Sequence, residues 1–344
     1  MAILYQALHT IDVDRNDCRC KDIPNDFNEF IEEYVPFVTG NSSTKNFNVH
    51  DEHVTVPNAI SEIVTAISNN DKDRADDYAL TIAKKLLSSE TAAQDKIYST
   101  GKKIKRGSIV QAYVENEAGD ASYIIAKVEH SEWYDGESLK KNFGFPSEKK
   151  NVWKSAVFSM TIDDSIIFGS VRVYTDNEAK YWAKDFLELT EERTDRTNTL
   201  SVMAEVEREF KRSVRSKSES DYYNLRNSLI TNLKTEKHFD YNAFVDSLAD
   251  YHPDEQSVDI SMLQNALRVL PDAKSFDRQF DTVPSAITNR RKLKFEVKTG
   301  IEIRIDGDME NFKDDIVSVS DPVDGRYIKI KCEDNTTFNV FTKR

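Results

Sequence analysis

Residues 108–129 read Ser-Ile-Val-Gln-Ala-Tyr-Val-Glu-Asn-Glu-Ala-Gly-Asp-Ala-Ser-Tyr-Ile-Ile-Ala-Lys-Val-Glu. Ser108–Glu115 and Ser122–Glu129 alternate apolar and polar positions, the period of a pleated strand, and Glu117–Asp120 between them carries a glycine turn. This is a β-hairpin, and it sets the class of the N-terminal half. A second hairpin follows in Asn151–Thr161 and Ser165–Val173, joined at Asp163-Asp164. Residues 2–9 read as a buried first strand. Their apolar run is short and has no basic n-region, so they do not read as a signal peptide.

Three- and four-residue apolar spacing marks the helices. It appears in Asp26–Val38, in Pro57–Ser68 with proline at its start, and in Arg74–Leu87. Gly40–His53 between them is polar and reads as a loop, as does Tyr134–Lys150. After Tyr174 the chain turns helical: Glu178–Leu189, Leu200–Ser216, Asp221–Leu233, Tyr241–Asp250 and Ser257–Leu270. Alternating segments then return, ending with Ile316–Val319, Arg326–Cys332 and Thr337–Phe341. The expected class is α+β: an N-terminal mixed half with antiparallel hairpins (1–175), a helical region (176–284), and a C-terminal antiparallel β meander packed on that region (285–344).

The chain has 344 residues, 39% hydrophobic and 31% charged, with a formal charge of −13. That composition supports a packed core and excludes general disorder. Residues 1–100 hold 17 acids and 9 bases, a local balance of −8. Three cysteines, Cys18, Cys20 and Cys332, cannot build a disulfide framework and fit a reducing cytosol. No apolar run approaches a membrane span.

Against the acidic background, Arg290–Arg304 carries six bases (Arg290, Arg291, Lys292, Lys294, Lys298, Arg304) and two acids (Glu296, Glu302). Leu293, Phe295 and Val297 alternate with the charged positions. Lys-Thr-Gly then turns the chain into Ile301, Ile303 and Ile305, again alternating. A cationic hairpin in an acidic protein points to a polyanion such as nucleic acid. Arg208, Lys211, Arg212 and Arg215 recur at helical spacing opposite Met203, Val206, Phe210 and Val214, and arginine's planar fork suits phosphate. The alternative for that face is plain solvation, balanced by Glu205, Glu207 and Glu209. Gly101–Gly107 frames Lys102, Lys103, Lys105 and Arg106 between two glycines that could fit a phosphate contour. Lys140, Lys141, Lys149, Lys150 and Lys154 mix with Trp133, Tyr134, Phe143, Phe145 and Trp153, a pattern suited to stacked bases or equally to core anchoring.

Catalytic and metal signals are thin. Glu296-Val297-Lys298, with Asp277 or Asp281 upstream, has the residue types of a metal-dependent nuclease, but acid-x-lysine is common in so charged a chain. Asp306-Gly-Asp308-Met-Glu310 lacks the rest of a calcium loop. No nucleophile elbow, Walker loop or dinucleotide fingerprint is present. The expectation is a non-enzyme with no metal and no cofactor.

The order of elements resembles the bacterial nucleoid-associated protein family, the YejK/NdpA-like group. The resemblance rests on Ala7-Leu8-His9 in the first strand, the hairpin Ser108–Glu129, and Tyr181–Leu187 for the family's F-x-x-F-L segment. It also rests on Leu293–Asp306 for the family's C-terminal hairpin and on Tyr327–Lys331 for a later strand. It implies a cytoplasmic, nucleoid-located, non-enzymatic protein that binds duplex or single-stranded DNA with little sequence preference. Two alternatives stand beside it. One is an anti-phage defence effector or nuclease subunit. The other is an interaction module whose acidic N-terminal half docks on a protein partner. A homodimer would raise avidity by pairing two basic patches.

Overall fold

The computed structural model describes residues 2–23, 32, 35–51, 53–101, 103–134, 141–144, 152–163, 165–175, 180–290, 292–306, 315–323 and 325–342. The chain divides into two units, Met1–Ala286 and Ile287–Arg344. The class is α+β.

The first unit is built on β1 (Ala2–Asp12), β2 (Asp17–Cys20), β3 (Lys45–Asn48), β4 (Gly107–Glu115) and β5 (Ala121–Glu129). A separate ribbon, β6 (Ser131–Tyr134) with β7 (Lys141–Gly144), follows. Then come β8 (Val152–Ile162), β9 (Ile166–Thr175) and the two-residue β10 (Thr190–Glu191). Eight of these strands form one antiparallel sheet in the order β10-β3-β9-β8-β5-β4-β1-β2. The hairpin read from residues 108–129 is β4–β5, in register from Gly107↔Glu129 to Glu115↔Ala121.

Alternation in β4 suggests one wet face, yet Ser108–Val114 are all buried. Ile109 and Tyr113 face α1 (Thr55–Ser68) and α2 (Lys72–Ile97), where Ile60, Ile63, Ala79, Ile82 and Leu86 complete the main core. Val110, Ala112 and Val114 share the opposite face with Leu8, Ile124 and Ala126, and Val35 and Val38 cover them. The polar Gln111 survives on the α2 side because both ends are bonded. Its amide donates to the Ala79 carbonyl (2.9 Å), and its oxygen accepts from the Tyr123 hydroxyl (3.0 Å).

Two further buried polar groups on the sheet have consequences. Lys127 on β5 is fully buried and donates to Glu90 of α2 at 2.5 Å and to the Lys105 carbonyl at 3.2 Å. Burial pulls its ammonium pKa down. Tyr181 donates to the same Glu90 oxygen at 2.8 Å. Lys154, expected in a surface basic–aromatic cluster, is only 5% exposed and sits in register beside Lys127. Lys140, Lys149 and Lys150 of that cluster lie outside the described residues.

His9 on β1 is 1% exposed, and burial pushes its imidazole down to about 4 from 6.5. The unfolded chain therefore takes up this proton near pH 6.5 and the folded chain near 4, so stability falls as pH drops through that window. Thermal melts should show the loss between pH 7 and 4.5, and His9→Gln should remove roughly 2–3 kcal/mol of it. Superimposable pH profiles would refute His9 as the source.

The rest of the unit is helical: α3 (Asp195–Phe210), α4 (Glu219–Thr235), α5 (Tyr241–Ser247), α6 (Ile260–Arg268) and α7 (Leu270–Lys274), with a two-stranded ribbon of β11 (His238–Asp240) and β12 (Gln279–Asp281). Thr194, Ser218, Asp240 and Asp259 cap their helices through side-chain oxygens. The stripe Met203, Val206, Phe210 and Val214 is fully buried as its spacing predicts. After Phe210 the helix widens into a π turn, Lys211–Arg215.

In the second unit β13 (Lys292–Lys298) pairs with β14 (Ile301–Asp306), and β15 (Ile316–Asp321) pairs with β16 (Gly325–Ile330). Each is a separate two-stranded ribbon rather than part of one meander. Gly300, at φ 83°, supplies the left-handed turn between β13 and β14.

Several sequence expectations change. Thr337–Phe341, expected as a strand, lies in the helix α8 (Asn335–Val340) and the turn after it, because Asp334 accepts the Thr336 and Thr337 amides and caps a helix there. Of Glu178–Leu189, residues 178 and 179 lie outside the described set, and Lys180 and Tyr181 are helical and lead into the π turn Trp182–Phe186. Gly40–His53 contains the strand β3 rather than loop throughout. Tyr134–Lys150 contains β7. Of Asp26–Val38, residues 26–31, 33 and 34 lie outside the described set, and residues 32 and 35–38 are helical.

Candidate nucleic-acid interface

Cations matter to a polyanion only where acids do not already hold them. On α3 and its π turn, Arg208 pairs with Glu205, Lys211 with Glu207 (3.1 Å), Arg212 with Glu209 (2.8 Å) and Arg215 with Glu219 (3.0 Å). The expected basic face is therefore neutralised by interleaved acids. Glu207 is also held by Arg226 and by the Tyr222 hydroxyl. Burial opposes its ionisation, but Arg226 and Lys211 keep its carboxyl below the ordinary range. The four cations remain 43–71% exposed, but Glu205, Glu207 and Glu209 are largely buried, so only Arg215, whose partner Glu219 is exposed, can exchange its acid for a phosphate at little cost.

The glycine-framed loop behaves similarly. Lys103 lies 3.8 Å from Asp14, Lys105 3.2 Å from Glu129 and Arg106 3.6 Å from Asp12. Lys102 falls outside the described residues. Gly107 does not serve a phosphate contour. A Cβ there would meet the Val128 carbonyl oxygen at 2.5 Å, so this glycine permits close approach of β5.

On the C-terminal hairpin, register places Lys292 opposite Asp306, Lys294 opposite Arg304 and Glu296 opposite Glu302, with a bulge before Lys298. One rung is thus doubly cationic and the next doubly acidic. Lys298 is exposed. Arg290 ends a short 3-10 segment, and Arg291 is outside the described residues. Asp277 and Asp281, considered as partners for Glu296 and Lys298, are engaged within the first unit by Arg193 and by Lys180 and His238. Among the described residues no group of three or more His, Cys, Asp or Glu side chains is arranged to hold a metal ion.

Sequence reasoning missed the convergence around β3. Its residues alternate between two hollows. Thr44 and Asn46 face a 480 Å³ cleft also lined by Arg172, Arg193 and Arg278. Lys45 and Phe47 face a 610 Å³ cavity lined by Lys180, Glu191, Asp195, His238 and Asp281. Arg172 on β9 lies directly opposite Asn46 in register. Asp277, 1% exposed, fastens the cleft wall: Oδ1 accepts from the Asn46 amide and from Arg193 (both 3.2 Å), and Oδ2 accepts from Asn198 (2.8 Å). Burial holds its pKa up.

In the cavity, Lys45 donates to Glu191 (2.7 Å) and Asp195 (2.6 Å). Burial opposes its charge, but these two acids raise its pKa overall. Asp281 accepts from Lys180 (2.7 Å) and faces His238 Nδ1 (3.1 Å). The hydrogen bond from His238, reinforced by Lys180, brings its carboxyl down to about 2. These three segments lie far apart in sequence, and no periodicity could announce their meeting.

Residues 162–329 match the family model described as nucleoid-associated protein YejK. No curated protein and no solved structure matches the chain.

Proposed function

We propose that this chain, whose residues 162–329 match the family model described as nucleoid-associated protein YejK, is a YejK-like protein that binds DNA as a non-enzymatic, cytoplasmic nucleoid protein with little sequence preference. The observation that carries the reading is where the match falls. It spans Arg172, Arg193, Arg208–Arg215, Arg278 and the hairpin from Arg290 to Lys298, while the acidic first hundred residues lie outside it. Contact is through phosphates: lysine and arginine side chains displace condensed counterions, and affinity falls steeply as salt rises. The acidic remainder of the chain repels the duplex at long range, so binding is local rather than indiscriminate.

The test is duplex DNA affinity of the full chain between about 50 and 200 mM salt. The expected log–log slope is roughly −4 to −6, equivalent to about five to seven neutralised phosphates. Affinity that is undetectable at the low end, or flat across the range, sinks the proposal.

A further inference from the structure

We propose that the cleft lined by Arg172, Arg193 and Arg278 is a phosphate-binding site, and that it receives a backbone phosphodiester of the bound nucleic acid. The proposal rests on the DNA-binding reading for its source of phosphate, but the cleft's chemistry stands on its own geometry.

Three guanidinium groups arrive from three segments: Arg172 from β9, Arg193 from the turn between β10 and α3, and Arg278 from the residue before β12. They differ in how fully they are used. Arg278 forks onto Asp272 with two 2.9 Å bonds, but Asp272 is 77% exposed, so that acid can swing aside at little cost. Arg193 is fixed by the buried Asp277 at 3.2 Å and by Glu192 at 2.6 Å. Arg172 is different. Its terminal nitrogen donates to the Thr39 carbonyl at 3.0 Å, and among the described residues no carboxylate pairs with it. It is partly buried, and desolvation disfavours its charge.

A guanidinium has five N–H donors. One half-withdrawn from water with a single neutral acceptor carries an uncompensated desolvation cost. An anion in the cleft would offset that cost and use the remaining donors. Phosphate suits it because tetrahedral oxygens accept paired bonds from planar forks. Thr44 and Asn46 add neutral polar groups on the same wall. The charged lining groups, three arginines with Asp272 and Asp277, sum to +1. All three arginines lie inside the segment matched to the nucleoid-associated family.

The experiment compares wild type with Arg172→Gln, Arg172→Lys and Arg278→Gln, using Arg268→Gln on α6 as a charge-matched control. Folding is checked by circular dichroism and melting. Duplex affinity should drop about 5- to 10-fold in Arg172→Gln and Arg278→Gln, with the salt slope shallower by about 1, as for one lost phosphate contact. Arg172→Lys should restore most of the slope, and Arg268→Gln should match wild type. If Arg172→Gln fails to fold, Arg278→Gln, whose partner is exposed, carries the test. Wild-type binding with unchanged Arg172 and Arg278 variants overturns the cleft and leaves the DNA reading standing. If wild type binds no DNA, that reading fails, and titration with inorganic phosphate decides the cleft. A rise in melting temperature for wild type but not for the Arg172 or Arg278 variant keeps it as a free-phosphate site. No rise overturns it.

Discussion

Replacing Glu90 with alanine is expected to destabilise the protein by about 3–5 kcal/mol, the usual cost of removing one partner from a buried ion pair. Lys127 is fully buried, and its ammonium reaches only Glu90 and the Lys105 carbonyl among the described residues. Without the carboxylate, the positive charge faces a low-dielectric core with Lys154 in the adjacent register position. Lys127 would shed its proton or draw in water, and either costs stability. The Tyr181 hydroxyl would lose its acceptor too, loosening the turn that carries Trp182 and Phe186. Urea unfolding measures the effect. Glu90→Leu combined with Lys127→Met should recover most of the loss, since an apolar pair of similar volume leaves no buried charge. A single-variant cost below about 1 kcal/mol would show that the pair contributes little.

The second large effect is on binding. Changing Arg290, Arg291 and Lys294 together to glutamate should lower duplex affinity at least ~100-fold near 100 mM salt and flatten the salt slope by about 3. The register explains why Lys294 belongs in the set. It stands opposite Arg304 in register, so the two strands bring two cations to one rung of the hairpin. The next rung, Glu296 opposite Glu302, limits the basic surface on that side. Unchanged affinity and slope in the triple variant would remove the hairpin from the interface and leave the arginine cleft to account for binding.

Local patterns carried the parts of the fold that local chemistry decides. Periodicity located β4–β5, β8–β9, α1, α2 and the buried stripe of α3, because each buries side chains at its own repeat. It missed β2, β3 and β10, which are four, four and two residues long; β3 and β10 owe their conformation to pairing with distant strands, and β2 is too short to show a repeat. Nor does alternation in β4 reveal that both its faces are buried, since the covering residues Val35 and Val38 lie seventy residues earlier in the chain. Composition found the basic residues but not their partners. Whether Arg212 is free depends on Glu209 three positions away, which spacing could show. Whether Arg172 is free depends on Thr39, Asn46 and Asp277, which spacing cannot show.

The narrowness of β3 ties two chemistries together. Asn46 borders the arginine cleft, and its neighbours Lys45 and Phe47 border the cavity behind it, so the two hollows share a wall one strand thick. Lys45, Asn46 and Phe47 are successive residues of one backbone, so any shift of Asn46 into the cleft also moves the ammonium that bridges Glu191 and Asp195 across the cavity.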